Sequence, residues 1–365
     1  MGSGTVIALA RCKGHRAFGV DIDPLAVLIS KVWSTTIDPE QVHEKAADVL
    51  SRARSIFASL PARNSYPHGA DEETRRFISY WFDDYARKQL ASLSTAIGRV
   101  RDRTTRDVLW CGFSRLIIAK QAGASLAMDL AHSRPHKSYD RAPTKPFRTF
   151  ATAMSRVVEN CIHASSQSRG PSPHLYEGDA RSLPLSKQSV DLVLTSPPYL
   201  NAIDYMRCSK FTLVWMGYSI DELRRIRASS VGTEVGNGAP QDEPAIRDIM
   251  RDLKLRPQLR SGDGAVLARY IDDMRLSLSE TARVLVPGGK AIYVVGENTV
   301  RGTFIRNAIV VSAVAESVGL KLFARRTRKL PANRRYLPPP LQNGSAQLNA
   351  RMRREVVLGF TRTVH

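Results

Sequence analysis

Acidic residues are the scarce class in this 365-residue sequence: 34 Asp and Glu stand against 54 Lys and Arg, a formal net charge of +20 at pH 7. A surplus of that size bears on partners rather than on fold, and it selects a polyanion, because neutralised phosphates release their counterions. Nucleic acid is the expected partner. Cysteine is scarce as well. Cys12, Cys111, Cys161 and Cys208 lie far apart with no C-x-x-C spacing, which argues against a disulfide framework or a zinc site and leaves small, buried or partly buried thiols. No apolar run approaches the roughly 20 residues of a membrane helix. Met1 is followed by Gly-Ser-Gly rather than by a basic segment and an apolar core, so no secretory signal is read and the cytoplasm is the expected compartment. Internal repeats and long low-complexity tracts are also missing, which removes solenoid and array architectures.

What is present is an α/β pattern interrupted by helices. At about 150 residues per domain the length suggests roughly two domains, or one with large insertions. Residues 1–34 read as a turn, a helix over Thr5–Lys13, a strand in "RAFGVD" and a second helix in "PLAVLISKVWS". From about 40 to 132 the apolar residues recur at spacings of three and four, the signature of a helical insertion. The proline-rich, basic stretch "AHSRPHKSYDRAPTKPFRTF" reads as an ordered or semi-ordered loop, after which "TFATAMSRVVENCIHAS" resumes a helix. Five β-rich runs follow, "HLYEGDA", "VDLVLTSPPY", "GGKAIYVVG", "LKLFARRT" and "EVVLGFT", with helices between several of them. They imply a largely parallel sheet. The expected division is 1–38, 39–165 and 166–365, the last with an insertion near 200–265.

The chemistry concentrates in "VDLVLTSPPYLNAIDY". An apolar strand delivers Thr195, Ser196, Pro197, Pro198 and Tyr199 at its carboxyl end, where open α/β sheets bind ligands. The two prolines stiffen the loop and remove two backbone donors, so nearby carbonyls can accept from a ligand amine. Tyr199 offers a flat face to a planar ring. At the other end of the chain, Gly2 and Gly4 in "MGSGT" let the backbone approach a nucleotide cofactor. Asp21, closing "FGVD", has the position of a carboxylate that accepts from ribose hydroxyls. Asp23, just before Pro24, reads as a helix cap.

These segments resemble the amino-group DNA methyltransferases that use S-adenosylmethionine, whose signature is Asp/Asn/Ser-Pro-Pro followed by an aromatic residue. The resemblance implies an α/β fold with a class I, Rossmann-like methyltransferase sheet, mostly parallel with an antiparallel last strand, plus the helical insertion. It implies that Ser196 and the Pro197 carbonyl accept hydrogen bonds from the exocyclic amine of a flipped base, held in place by Pro198, while Tyr199 stacks on that base. The cofactor set it implies is the loop Gly2, Ser3, Gly4 and Thr5, the acid Asp21, Asp179 with Ala180 from "EGDA" at the adenine amine, and Thr195. "VLVPGGKAIYVVG" resembles the fifth strand of that fold. Asn201, Asp204 and Tyr205 are expected to rim the base pocket, whereas "FTLVWMG" reads as a core helix face.

An exocyclic base amine is a poor nucleophile, because its lone pair is delocalised into the ring. Acceptors that favour a tetrahedral nitrogen, and an in-line sulfonium methyl, therefore carry the reaction without a covalent enzyme nucleophile. Methylation of a cytosine ring carbon goes with a Pro-Cys loop, and no Pro-Cys occurs here. Serine in the first position of the loop leans toward cytosine N(4), with adenine N(6) as the other target. An RNA amino-methyltransferase and a degenerate methyltransferase that only binds nucleic acid are the alternatives. The cofactor segments precede the Ser-Pro-Pro-Tyr segment, so target reading is expected in the helical block, and the basic stretch around 324–354 is expected to touch the phosphate backbone. In the family the glycine loop follows a strand, and "MGSGT" fits as the remainder of such a loop. The first strand is thus expected to be missing from these residues and supplied by upstream residues or a partner chain, leaving two strand edges unpaired.

Overall fold

A computed structural model describes residues 1–119, 122–128, 135–198, 206–233, 244–253, 263–300, 303–330 and 354–363. The chain forms two compact units, one of Met1–Glu177 with Tyr205–Ile226 and one of Gly178–Asp204 with Arg227–His365.

The first unit is mostly helical. Its elements are α1 (Thr5–Cys12), β1 (Phe18–Asp21), α2 (Pro24–Trp33), α3 (Pro39–Ser59), α4 (Glu72–Trp81), α5 (Asp84–Gly98), α6 (Arg103–Ile117), α7 (Pro146–Ser166), β2 (His174–Glu177) and α8 (Met206–Leu213), followed by the start of α9 (Ile220–Ala228). Five of these helices begin on an aspartate. Asp23, Asp38, Asp71, Asp83 and Asp102 each accept a first-turn N–H, and Pro24 and Pro39 follow two of them. Each cap satisfies an N–H that the helix itself leaves unbonded, a contribution of about 1 kcal/mol apiece. The helical stretch 71–100 is consequently two helices: Asp83 takes the N–H groups of Tyr85 and Ala86 and restarts the chain after Phe82. Phe82, Phe113, Phe150, Phe211 and Trp215 are fully buried, with Phe82 edge-on to Trp215 at 5.3 Å. "FTLVWMG" is therefore a core face, as its spacing indicates. Strands β1 and β2 pair in parallel, with Phe18 opposite His174 and Asp21 opposite Glu177.

The second unit contains β3 (Val190–Thr195), α10 (Pro244–Asp252), α11 (Asp263–Val284), β4 (Leu285–Gly296), a short hairpin β5 (Asn298–Val300) and β6 (Thr303–Ile305), α12 (Asn307–Ser317), β7 (Leu320–Lys329) and β8 (Arg354–Arg362). The sheet order is β3-β4-β8-β7. Strand β3 runs parallel to β4, with Thr195 opposite Tyr293, and β8 is antiparallel to both of its neighbours. An α/β sheet with an antiparallel last strand is what the sequence led us to expect. Its core joins Tyr270, Tyr293, Val311, Leu358 and Phe360, and the buried Tyr293 hydroxyl is satisfied by Thr281 Oγ1 at 2.8 Å. Among the described residues β1 pairs only with β2, and β3 only with β4. The unpaired edge of β3 belongs to a strand whose Leu192 is 54% and Leu194 40% exposed.

Candidate active site

In the first unit the predicted cofactor residues converge on the carboxyl end of β1. Asp21 Oδ2 accepts from Gly2 N at 2.7 Å and Oδ1 from Asp23 N at 3.0 Å, so the carboxylate binds the 1–4 loop to the strand end. Ser30 on α2 donates to the Gly2 carbonyl at 2.9 Å. Gly4 caps α1 with φ +81°, and a Cβ there would meet Ser30 Cα at 2.9 Å. Only glycine fits, because both the left-handed backbone and the close approach of α1 to α2 exclude a side chain. Ser3 and Thr5 sit in this turn with their hydroxyl oxygens 3.4 Å apart. Asp23 is a cap, accepting from Leu25 N at 2.9 Å. It also takes the hydroxyl proton of Ser209 on α8 at 2.5 Å. Burial pushes its carboxyl up to about 6, against the pull of those two hydrogen bonds.

In the second unit, β3 ends at Thr195 and the chain turns into Ser196, Pro197 and Pro198. Ser196 Oγ donates to the Val294 carbonyl of β4 at 3.0 Å. A hydroxyl whose proton is committed to a strand carbonyl faces a ligand as an acceptor. Ser196 is exposed, Pro197 buried and Pro198 half-buried, which anchors the loop through its first proline. Tyr199, Asn201, Asp204 and Tyr205 lie outside the described residues.

Asp179 and Ala180 follow β2, and here the structure adds a residue that sequence reading missed. Arg181 donates through Nε to both oxygens of Asp179 at 3.0 Å, and its Nη2 reaches Oδ2 at 2.6 Å. Its Nη1 binds Asp273 of α11 at 2.5 Å and its Nη2 the Ser229 carbonyl at 2.5 Å. Asp273 in turn accepts from Gly232 N at 2.9 Å. Arg181 is raised above its ordinary value first by its bond to Asp179, whereas burial raises Asp273. One guanidinium thus orients Asp179 and ties its loop to α11. An arginine two places after the aspartate was visible in "EGDARS", but the partner on α11, 92 residues away, was not. No group of three or more His, Cys, Asp or Glu residues able to hold a metal occurs among the described residues.

In the first unit a strand end thus carries an acid beside a glycine loop, and in the second a strand end carries a Ser-Pro-Pro turn. No family model matches the chain. Among curated proteins it is 22% identical over 358 residues to the Type II methyltransferase M.MvaI of Kocuria varians, covering 92% of this chain and 77% of that one. The resemblance drawn from the Ser-Pro-Pro-Tyr segment therefore has a counterpart along nearly the whole sequence. Solved structures with a weaker likeness include a proposed DNA modification methylase of Thermus thermophilus complexed with S-adenosyl-L-methionine (17% identity, TM-score 0.26). Another is a SAM-dependent methyltransferase of Methanosarcina mazei, 9% identical with a TM-score of 0.25 over 58% of this chain and 79% of that one. The matched region spans about half of the Thermus chain, 52% of each.

Proposed function

We propose that this protein is a DNA methyltransferase that moves a methyl group from S-adenosyl-L-methionine to the exocyclic amine of a flipped base, with cytosine N(4) favoured over adenine N(6). The observation that carries the reading is Ser196: a hydroxyl at the carboxyl end of a parallel strand, its proton held by Val294, followed by two prolines. The likeness to the Type II methyltransferase of Kocuria varians supports methyl transfer.

The residues present fit the cofactor. Asp21 supplies a carboxylate for ribose hydroxyls, the 1–4 loop supplies backbone without a Cβ at Gly4, and Asp179 supplies an acceptor already oriented by Arg181. When bound, the cofactor supplies a sulfonium methyl, electrophilic enough to need no metal and no covalent enzyme intermediate. Ser196 and the Pro197 carbonyl accept the two amine hydrogens, which draws the nitrogen toward tetrahedral geometry and localises its lone pair; as the N–C bond forms the S–C bond breaks to leave a neutral thioether, and the methylated nitrogen releases one of its protons to solvent. The family resemblance assigns the stacking role to Tyr199 and contacts with the extruded base to Asn201, Asp204 and Tyr205. Extrusion costs a few kcal/mol, which the basic surface offsets through phosphate contacts.

Incubation with methyl-labelled cofactor and varied genomic DNA, followed by nucleoside analysis, tests the reading. N(4)-methylcytosine is the expected product. N(6)-methyladenine would move the target to adenine, and label in transfer or ribosomal RNA alone would move it to RNA.

A further inference from the structure

The helical unit carries a surface that the methyl-transfer site does not use. Tyr80, at the end of α4, and Tyr85, at the start of α5, are 56% and 52% exposed, unusual for aromatic rings on a unit with so large a core. Each lies beneath a lysine from the segment 135–148: Lys137 Nζ is 5.4 Å from the Tyr80 ring centre and Lys145 Nζ 5.4 Å from that of Tyr85. The patch continues through Phe57, edge-on to Tyr85 at 5.6 Å, with Lys88 Nζ 4.4 Å above it.

The segment 135–148 contains Lys137, Arg141, Lys145 and Arg148 with Asp140 as its single acid. Lys137, Arg141 and Arg148 are exposed. The segment is built rather than loose. The N–H groups of Ser138 and Tyr139 donate to the Leu126 carbonyl at 2.9 and 3.2 Å, and Leu126 N donates to the Trp81 carbonyl at 2.8 Å. Ala142 N donates to Asp83 Oδ2 at 2.5 Å and Phe147 N to Gln89 Oε1 at 3.2 Å. Asp83, the cap that separates α4 from α5, thus also holds the segment across the corner that displays both tyrosines. Asp84, the exposed acid nearest in sequence, is neutralised by Arg87 at 2.9 Å.

Two lysines on a braced backbone, each resting on an exposed tyrosine ring, together with the exposed Arg141 and Arg148, form a track for an anionic polymer. The rings limit the rotamer freedom the lysines lose on contact, and tyrosine hydroxyls are themselves phosphate donors. We infer that Lys137, Arg141, Lys145 and Arg148 with Tyr80 and Tyr85 contact the sugar-phosphate backbone of duplex DNA. The inference rests on the reading of the chain as a DNA-acting enzyme and assigns one of its faces to the substrate.

The test is the salt dependence of duplex binding by the full chain, comparing wild type with Lys137→Ala/Lys145→Ala, Tyr80→Phe/Tyr85→Phe and, as a control matched in charge, Lys187→Ala/Lys321→Ala, both exposed. Each lost phosphate contact should lower the slope of log K against log salt by about 0.9. The lysine pair is therefore expected to lower it by about 1.8, and the control to leave it unchanged. The tyrosine pair should weaken binding several-fold with thermal stability retained. An unchanged slope in the lysine pair, an equal fall in the control, or no duplex binding by the wild type would overturn the assignment. Binding with the expected slope but no methyl transfer would leave this face standing and remove the enzymatic reading instead.

Discussion

Asp23 shows how one buried carboxylate sets a pH dependence. Its ordinary value is 3.8, and burial raises it to about 6 in the folded protein despite the bonds from Ser209 and Leu25. The folded state therefore holds the proton more tightly than the unfolded state. The stabilisation from this group is complete below pH ~4 and is lost as pH rises through about 6, by up to about 3 kcal/mol at 1.36 kcal/mol per pKa unit. Asparagine caps a helix about as well as aspartate and cannot ionise. Asp23→Asn is expected to raise the melting temperature relative to wild type at pH 8 and to leave it nearly unchanged at pH 4; a pH-independent difference would contradict the account. Arg181 is the second residue with a sharp expectation. Arg181→Met leaves Asp273, 16% exposed, without its cation, at a cost of about 2–4 kcal/mol in urea unfolding. Adding Asp273→Asn should return part of that loss, because the pair is coupled. Additive losses would show that the two groups act separately.

At the level of elements, the strands and helices were legible because their signals are local. "VDLVLT" and "AIYVVG" are apolar runs of strand length, and the aspartates ahead of Pro24 and Pro39 mark helix starts. The break at Asp83 was not read from the sequence, because the periodic spacing runs through it; the aspartate there competes for the backbone N–H groups ahead of it. Pairing was not local in this way. That Arg181 meets Asp273, that Asp23 meets Ser209, and that the segment 135–148 crosses the α4–α5 corner all depend on contacts between residues distant in sequence. The Ser-Pro-Pro turn was legible as chemistry, but its orientation required β4, whose Val294 carbonyl takes the Ser196 proton. The sheet of the second unit gives a further expectation. Among the described residues strand β8 is bonded on both sides and β3 on one, so hydrogen exchange should protect successive amides through β8 but only alternate amides through Leu192 and Leu194. Protection of every amide in β3 would show that a further strand has already joined its edge.

For the whole molecule, the net charge of +20 and the methyl-transfer chemistry belong to one account. A duplex held through its phosphates can release a base to the Ser-Pro-Pro turn, and the charge supplies attraction that a neutral surface would lack. That attraction is screened over about 8 Å at physiological ionic strength. Transfer under subsaturating DNA should accordingly fall steeply between 50 and 200 mM salt, conditions over which six to ten phosphate contacts weaken affinity by roughly 10³–10⁵. The central claim is that Ser196, positioned by β3 and β4, accepts the hydrogen bond that activates the base amine. The most direct measurement is transfer of labelled methyl to DNA by Ser196→Ala alongside wild type, with cofactor affinity measured calorimetrically in both. The account predicts that transfer falls by about 10²–10³ while cofactor affinity is unchanged. Equal transfer by the two proteins would contradict it.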